Sequence, residues 1–321
     1  MRQVPSKVIA LVGSSGFDSG YGHLRRLVSL SSVLEYSNVL CLHGNFEETK
    51  EFYNVIESSS ELNKCKCDRQ PDTVIFDSYS TKVLSSLEFK NSPKLIQLVD
   101  ELSPKLWADA YIKASPTRDW KPLNKLAPIK EFTNNPILRQ EFFSSNENPV
   151  HSKDMLNNIL ILTGSSNLSK QVILYLSEIS SSYLSEYTFV VATNDEKVGE
   201  FSKSLGFVTV PFLNDFQTLV NGYRLVVSAG GVTAWELLKL NSNCIILSLA
   251  DNQNLQLEYF KMHYNIIGLI FDPNNSSLKT ELCDAILESL NSLEAIKVRQ
   301  RPTIHNGAVA AVDWLKELNF V

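Results

Sequence analysis

Short apolar runs alternate along the chain with longer stretches in which apolar residues return every third or fourth position. Val8–Val12, Thr73–Phe76 and Leu95–Val99 are nearly continuous apolar runs and read as buried strands. Between the first two, Leu24, Leu27, Val28, Leu30, Val33 and Leu34 recur at helical spacing. Val39–Leu42 and Ala110–Ile112 add short strands, and Phe46–Ile56 predicts a helix. Ser58–Lys66 reads as loop. Pro116 to Pro136, with four prolines, predicts an irregular stretch.

The second half repeats the alternation. Ile159–Leu162 predicts a strand, followed by a helical run to about Tyr183. Further strands are expected at Phe189–Ala192, Val208–Val210, Leu225–Ser228 and Cys244–Leu247. A last helix is expected from about Gly307 to Leu318. Such alternation calls for α/β architecture, parallel sheets covered on both faces. The polar stretch Ser144–Lys153, with Pro149, is the best linker, which divides the chain into domains at 1–148 and 149–321.

With 321 residues the chain can hold two cores. A net charge of −5 and the absence of a long basic run argue against a general nucleic-acid binder. No run approaches the about 18 apolar residues of a membrane helix, and Met1–Lys7 lacks the apolar core of a signal peptide. A cytoplasmic location is therefore expected. Cys41, Cys244 and Cys283 fall in apolar elements and read as buried thiols. Cys65-Lys66-Cys67 has no second pair at zinc-site spacing, so neither metal nor cofactor is expected.

Two stretches carry candidate chemistry. In Gly20-Tyr21-Gly22-His23-Leu24-Arg25-Arg26 a strand, a glycine-bearing loop and a helix meet, with His23 in the helix's first turn. Free N–H groups there attract anions and disfavour an imidazolium, so a neutral His23 is a candidate general base. A capping or packing histidine is the other reading of an isolated Gly-x-Gly-His. Asp77 and Tyr79, like Gly13-Ser14-Ser15, follow strands, where α/β sheets gather ligands at their carboxyl ends. Asp100-Glu101 end the next strand and read either as catalytic or as capping acids.

The second stretch is Ser228-Ala229-Gly230-Gly231-Val232-Thr233-Ala234-Trp235-Glu236. Gly230 and Gly231 would let a ligand approach the backbone, and helix N–H groups at Gly231–Thr233 would face a diphosphate. Glu236 could accept two ribose hydroxyls. The following strand ends in Ala250-Asp251-Asn252-Gln253, a polar loop at the same sheet edge.

This combination resembles the UDP-2,4-diacetamido-2,4,6-trideoxy-β-L-altropyranose hydrolases of pseudaminic acid biosynthesis, a family related in fold to MurG-type GT-B glycosyltransferases. The resemblance spans nearly the whole chain. Its Gly-x-Gly-His-x-x-Arg segment is matched by Gly20, Gly22, His23 and Arg26, and its Asp-x-Tyr strand end by Asp77 and Tyr79. Leu138-Arg139-Gln140-Glu141-Phe142, Ser228-Ala229 through Glu236, and Asn252-Gln253 match three later segments. Val12 and Ser14 stand where the family often has an Arg-x-Asp pair. Ser78 replaces a histidine, Gly164-Ser165 stands at the second-domain Gly-Gly loop, and Ala310 replaces a late arginine. These departures bear on sugar choice more than on UDP.

The resemblance implies a GT-B-like fold, two Rossmann-like domains with parallel sheets facing a central cleft. UDP would lie on the C-terminal domain and the sugar toward the N-terminal one. The last helix, about 307–319, would pack back on the N-terminal domain. The implied activity is metal-independent, inverting hydrolysis at the anomeric carbon of a UDP-amino-deoxysugar, with His23 as base and Asp77 and Tyr79 beside it. Gly20, Gly22, Arg26, Arg139, Gly164, Ser165, Gly230, Gly231, Val232, Thr233, Glu236, Asn252 and Gln253 would contact substrate. A glycosyltransferase using the same donor, or a non-catalytic nucleotide-sugar binder, fits the same scaffold.

Overall fold

A computed structural model describes residues 7–13, 22–34, 39–43, 70–85, 89–118, 120–131, 135–144, 157–164, 168–212, 215–291 and 303–321. The helix expected over 46–56, Cys65 and Cys67, Gly20, Ser14, Ser15 and Ser165 lie outside the described residues, as does most of the linker stretch. The chain divides into two compact units: residues 1–144 with 304–321, and residues 145–303.

The first unit is built on β1 (Val8–Gly13), α1 (Gly22–Leu34), β2 (Val39–His43), β3 (Thr73–Asp77), α2 (Lys82–Ser85), β4 (Lys94–Val99), β5 (Ala110–Lys113), β6 (Ile129–Glu131) and α3 (Glu141–Ser144). Its six strands are parallel in the order β2-β1-β3-β4-β5-β6. The chain moves outward in opposite directions on either side of β1 and β3, so the topological switch falls between those two strands. Ligands of doubly wound sheets bind outside the carboxyl ends of the strands at such a point. Gly13 and Asp77 are paired there in register. A Cβ on Gly13 would stand 2.6 Å from the Leu27 side chain and 2.9 Å from the Asp77 carbonyl, so glycine is what lets α1 lie this close to the sheet.

β6 falls inside the proline-rich stretch predicted to be irregular. Only three residues long and exposed at both ends, it carries no apolar alternation to announce it, and pairing with β5 alone defines it. The last helix of the chain, Gly307–Glu317, belongs to this first unit. Ala308, Ala311, Val312 and Leu315 are buried in one core with Leu27, Leu30 and Leu34 of α1 and Ile9, Ile75 and Ile96 of the sheet. Asn306 caps it, its side chain accepting from the Ala308 and Val309 N–H groups.

The second unit comprises β7 (Asn158–Leu162), α4 (Ser169–Tyr183), β8 (Thr188–Ala192), α5 (Glu196–Ser204), β9 (Val208–Val210), α6 (Phe216–Asn221), β10 (Leu225–Ala229), α7 (Val232–Lys239), β11 (Cys244–Ser248), α8 (Asp251–Tyr264), β12 (Ile267–Ile270) and α9 (Leu278–Asn291). The helix Gly307–Glu317 is then α10. The strand order β12-β11-β10-β7-β8-β9, all parallel, is the doubly wound Rossmann order, with its switch between β7 and β10. Ile159, Ile161, Val227, Ile245 and Leu247 are buried against Val172, Leu176, Leu282 and Ile286 of the flanking helices. Cys244 and Cys283 are buried free thiols, as their apolar settings predict. No described helix is long and apolar enough to cross a membrane.

Candidate active site

His23, the second residue of α1, points its imidazole at the end of β3. Its Nδ1 lies 2.6 Å from Asp77 Oδ1. Two lone pairs cannot meet at that distance, so a proton lies between them and Nδ1 carries it. Arg26, one helical turn on, grips the same carboxylate twice, Nε donating to Oδ2 at 2.7 Å and Nη2 to Oδ1 at 2.8 Å. Arg26 Nη2 also lies 2.8 Å from His23 Nδ1, a contact that alone would make Nδ1 an acceptor. Because Nη2 already donates to Oδ1, we assign this contact to two donors converging on one oxygen. Nε2 is then the basic nitrogen of His23.

Burial alone would push the Asp77 carboxyl up, but the Arg26 charge, then that of His23, outweighs it and holds the group down at about 2. Burial likewise works against the Arg26 charge, and Asp77 reverses it, raising the guanidinium further above its ordinary value. The Arg26–Asp77 pair is thus a fixed, mutually neutralised unit. Arg26, expected as a substrate contact, is instead committed to Asp77.

Tyr79 closes the other side of the ring. Its ring meets that of His23 edge-on at 4.3 Å and 84°. Its hydroxyl donates to Asp100 Oδ2 at 2.7 Å. Burial first, then the Asp100 charge, raises the Tyr79 hydroxyl well above the usual phenol range, so it stays protonated. The four side chains are buried: His23 is 2%, Asp77 1%, Arg26 8% and Asp100 4% exposed. His23 is thus more enclosed than the cleft-like setting expected for it. The cause is local: Gly13 draws α1 onto the sheet, and Asp77 and Tyr79 enclose the ring between them. Arg139, just before α3, pairs with Glu141 at 2.7 Å and lies over the Phe142 ring.

In the second unit, the glycine pair lies at the switch between β7 and β10. Gly231, the residue before α7, has φ +88° and ψ −151°, a conformation reserved for glycine. Gln256 of α8 holds its peptide from both sides: the Gly231 N–H donates to Oε1 at 2.6 Å, and Nε2 donates to the Gly231 carbonyl at 3.3 Å. Gln253 packs against Gly230 so closely that a Cβ there would lie 2.9 Å from its Oε1, which itself accepts from the Leu249 N–H. Val232 and Thr233 form the first turn of α7 and are half-buried, whereas Glu236 is 0% exposed. Gly164, exposed with φ +63°, turns the chain after β7.

Asp251, Asn252 and Gln253, expected in a loop, form the first turn of α8. Extended Ala250 precedes the helix and its carbonyl accepts from the Gln253 N–H, so the polar triplet is a helix start rather than a loop. Gln256 was not foreseen. Its signal was available only as the residue one turn beyond Asn252, a spacing that puts both on one face of the helix. Among the described residues no cluster of histidine, cysteine and carboxylate side chains could hold a metal ion.

Two parallel α/β units, one in Rossmann order, define the chain as GT-B-like in fold. Solved structures bear this out over almost the full length. A glycotransferase of kitacinnamycin superimposes with TM-score 0.63 at 11% identity, covering 98% of this chain and 99% of its own. The UDP-GlcNAc 2-epimerase from Neisseria meningitidis, bound to UDP-GlcNAc, gives 0.61 at 10% identity over 97% and 99%. The spinosyn rhamnosyltransferase SpnG gives 0.58 at 13% identity over 96% and 100%. No protein-family model matches the sequence, and no curated protein matches it.

Proposed function

We propose that the protein is an enzyme that hydrolyses a UDP-amino-deoxysugar at the anomeric carbon, releasing UDP and the free sugar for pseudaminic-type or related surface-glycan synthesis. The observation that carries this reading is the Arg26–Asp77–His23 arrangement at the β1/β3 switch. Asp77 fixes the Nδ1–H tautomer and leaves Nε2 as a base, the role a carboxylate plays beside a catalytic histidine. The three solved structures above belong to proteins whose names place them among sugar-transferring or UDP-GlcNAc-processing enzymes, which supports a nucleotide-sugar substrate.

In this reading His23 Nε2 takes a proton from water as the water oxygen bonds to the anomeric carbon. The bond from that carbon to the phosphate oxygen breaks, its electron pair leaving with UDP, and attack from the opposite face inverts the centre. UDP is a good leaving group, so fixed dipoles of the first turn of α7, at Val232 and Thr233, suffice to stabilise the departing charge, while the Gly231 N–H stays committed to Gln256. A positioned base contributes about 10²–10⁴-fold. Asn252 takes the ribose side, joined by Glu236, 0% exposed, once the residues over it move, and Gly164 and Ser165 the phosphates. Because His23 is 2% exposed, the reading requires side chains around the ring to move when the sugar binds.

The test is a panel of UDP-linked monoamino- and diamino-deoxysugars, with products followed by NMR. Release of UDP and an anomerically inverted free sugar, abolished by His23→Ala in a folded protein, is the expected result. Full activity of folded His23→Ala overturns the base assignment. A transferase is the second reading, favoured by the likeness to two sugar transferases. There Nε2 would deprotonate an acceptor hydroxyl, and UDP would be released only when an acceptor is present. UDP binding without turnover of any donor would leave a nucleotide-sugar binder.

A further inference from the structure

Asp77 is the obvious partner for a protonated His23, yet its charge is already spent. Arg26 donates to both of its oxygens, at 2.7 and 2.8 Å, so the Arg26–Asp77 pair sums to zero. A buried imidazolium beside a neutral pair would carry an uncompensated charge, and its second close neighbour is the Arg26 guanidinium itself. Such a charge is costly at 2% exposure. A general base in this position needs a further negative charge.

One stands on the far side of Tyr79. Asp100, at the carboxyl end of β4, is 4% exposed. Its Oδ2 accepts from the Tyr79 hydroxyl at 2.7 Å, and its Oδ1 from the Leu102 N–H at 3.1 Å and the Ser103 hydroxyl at 3.2 Å. All three donors are neutral. They solvate a carboxylate without cancelling its charge. Asp100 also helps hold Arg26 protonated, so its field reaches the cluster. With Asp100 ionised, Arg26, Asp77 and Asp100 sum to −1 while His23 is neutral, and to zero once His23 takes a proton.

We propose that Asp100 is a positioning and charge-balancing residue for His23, letting the buried ring accept a proton, with Tyr79 as the rigid spacer between them. This rests on the base reading of His23 and gives Asp100, which the sequence marks only as a catalytic or capping acid, a definite role. Among the described residues, other titratable groups on the elements packed around the ring are as follows. Arg25 is on its own helix. Glu101, beside Asp100, accepts from the Arg118 N–H. On α10, which packs against α1, Asp313 and Lys316 lie 3.6 Å apart at the surface. Lys82 of α2 is exposed.

The test is the His23 titration followed by NMR of the ring carbons in the full-length protein. Asp100→Asn keeps the shape and can still accept from Tyr79, but removes the charge. It should lower the His23 midpoint by about one pH unit, a tenfold loss of proton affinity, while the Nδ1–H tautomer persists. An unchanged midpoint in a folded variant overturns the proposal. Should that variant not fold, the wild type decides: the Asp100 carboxyl carbon should show an inflection at the His23 midpoint, and its absence overturns the idea equally. With any sugar nucleotide that is turned over, Asp100→Asn should lower kcat about tenfold with KM unchanged and shift the acid limb of the pH profile downward. The NMR result holds whether or not a substrate is found, so failure of the charge balance is distinct from failure of the hydrolase reading.

Discussion

Arg26→Met isolates the electrostatics of the buried cluster. In the native protein the Asp77 carboxyl is held at about 2 against an ordinary 3.8, a difference worth roughly 2 kcal/mol of stability. The folded value is depressed, so this contribution is complete above about pH 4 and is lost as pH falls toward 2. Methionine in place of Arg26 leaves Asp77, 1% exposed, facing burial with only His23 to oppose it. Removing one partner of a buried pair typically costs about 3–5 kcal/mol. The variant should escape part of that cost by protonating Asp77, so its deficit should be largest near pH 7 and smaller by roughly 2 kcal/mol near pH 2, where the native pair has lost its contribution. Urea unfolding in a Trp235→Phe background reads the first unit alone, because Trp107, Trp120 and Trp314 all belong to it. A deficit of the same size at both pH values would mean that Arg26 contributes packing only and that the paired-charge account is wrong.

Gly231→Ala forces a side chain into φ +88° and should cost about 1–3 kcal/mol in the second unit, with weaker UDP binding by calorimetry. Gln256→Leu frees the Gly231 peptide from its clamp and should weaken UDP binding with little change in the first unit's unfolding; unchanged affinity would mean that the clamp serves folding only. Glu236→Ala should lower UDP affinity, and an isotherm identical to wild type removes the ribose assignment. Gly307→Ala would bring a Cβ within 2.0 Å of the Asn135 carbonyl, so a drop of several degrees in the first unit's melting temperature is expected by calorimetry.

The sheets were legible because buried parallel strands are nearly unbroken apolar runs, as in Val8–Val12, Ile159–Leu162 and Cys244–Leu247. β12 (Ile267–Ile270) escaped notice, since Gly268 interrupts its run and Leu257 packs where a side chain would otherwise stand. His23 was marked by its glycine-bearing loop at a helix start, and Asp77 and Tyr79 by their place at a strand end, which topology dictates. The role of Arg26 was not legible: a helix turn places it beside His23, but only the register of Gly13 with Asp77 decides that it meets a carboxylate. The same holds for Asp100, whose link to the histidine runs through a tyrosine two residues beyond the end of β3.

The first unit is written in two separated stretches of chain, with the whole of the second between them. On the ribosome, the segment bearing α1 and its sheet emerges early but lacks the wall that Ala308, Ala311, Val312 and Leu315 supply. The apolar face of α1 must therefore wait, uncovered, until the whole of the second unit and α10 have been made. Removal of residues 310–321 strips away Ala311, Val312 and Leu315, so loss of the first unit's fold is the direct outcome of this discontinuous order.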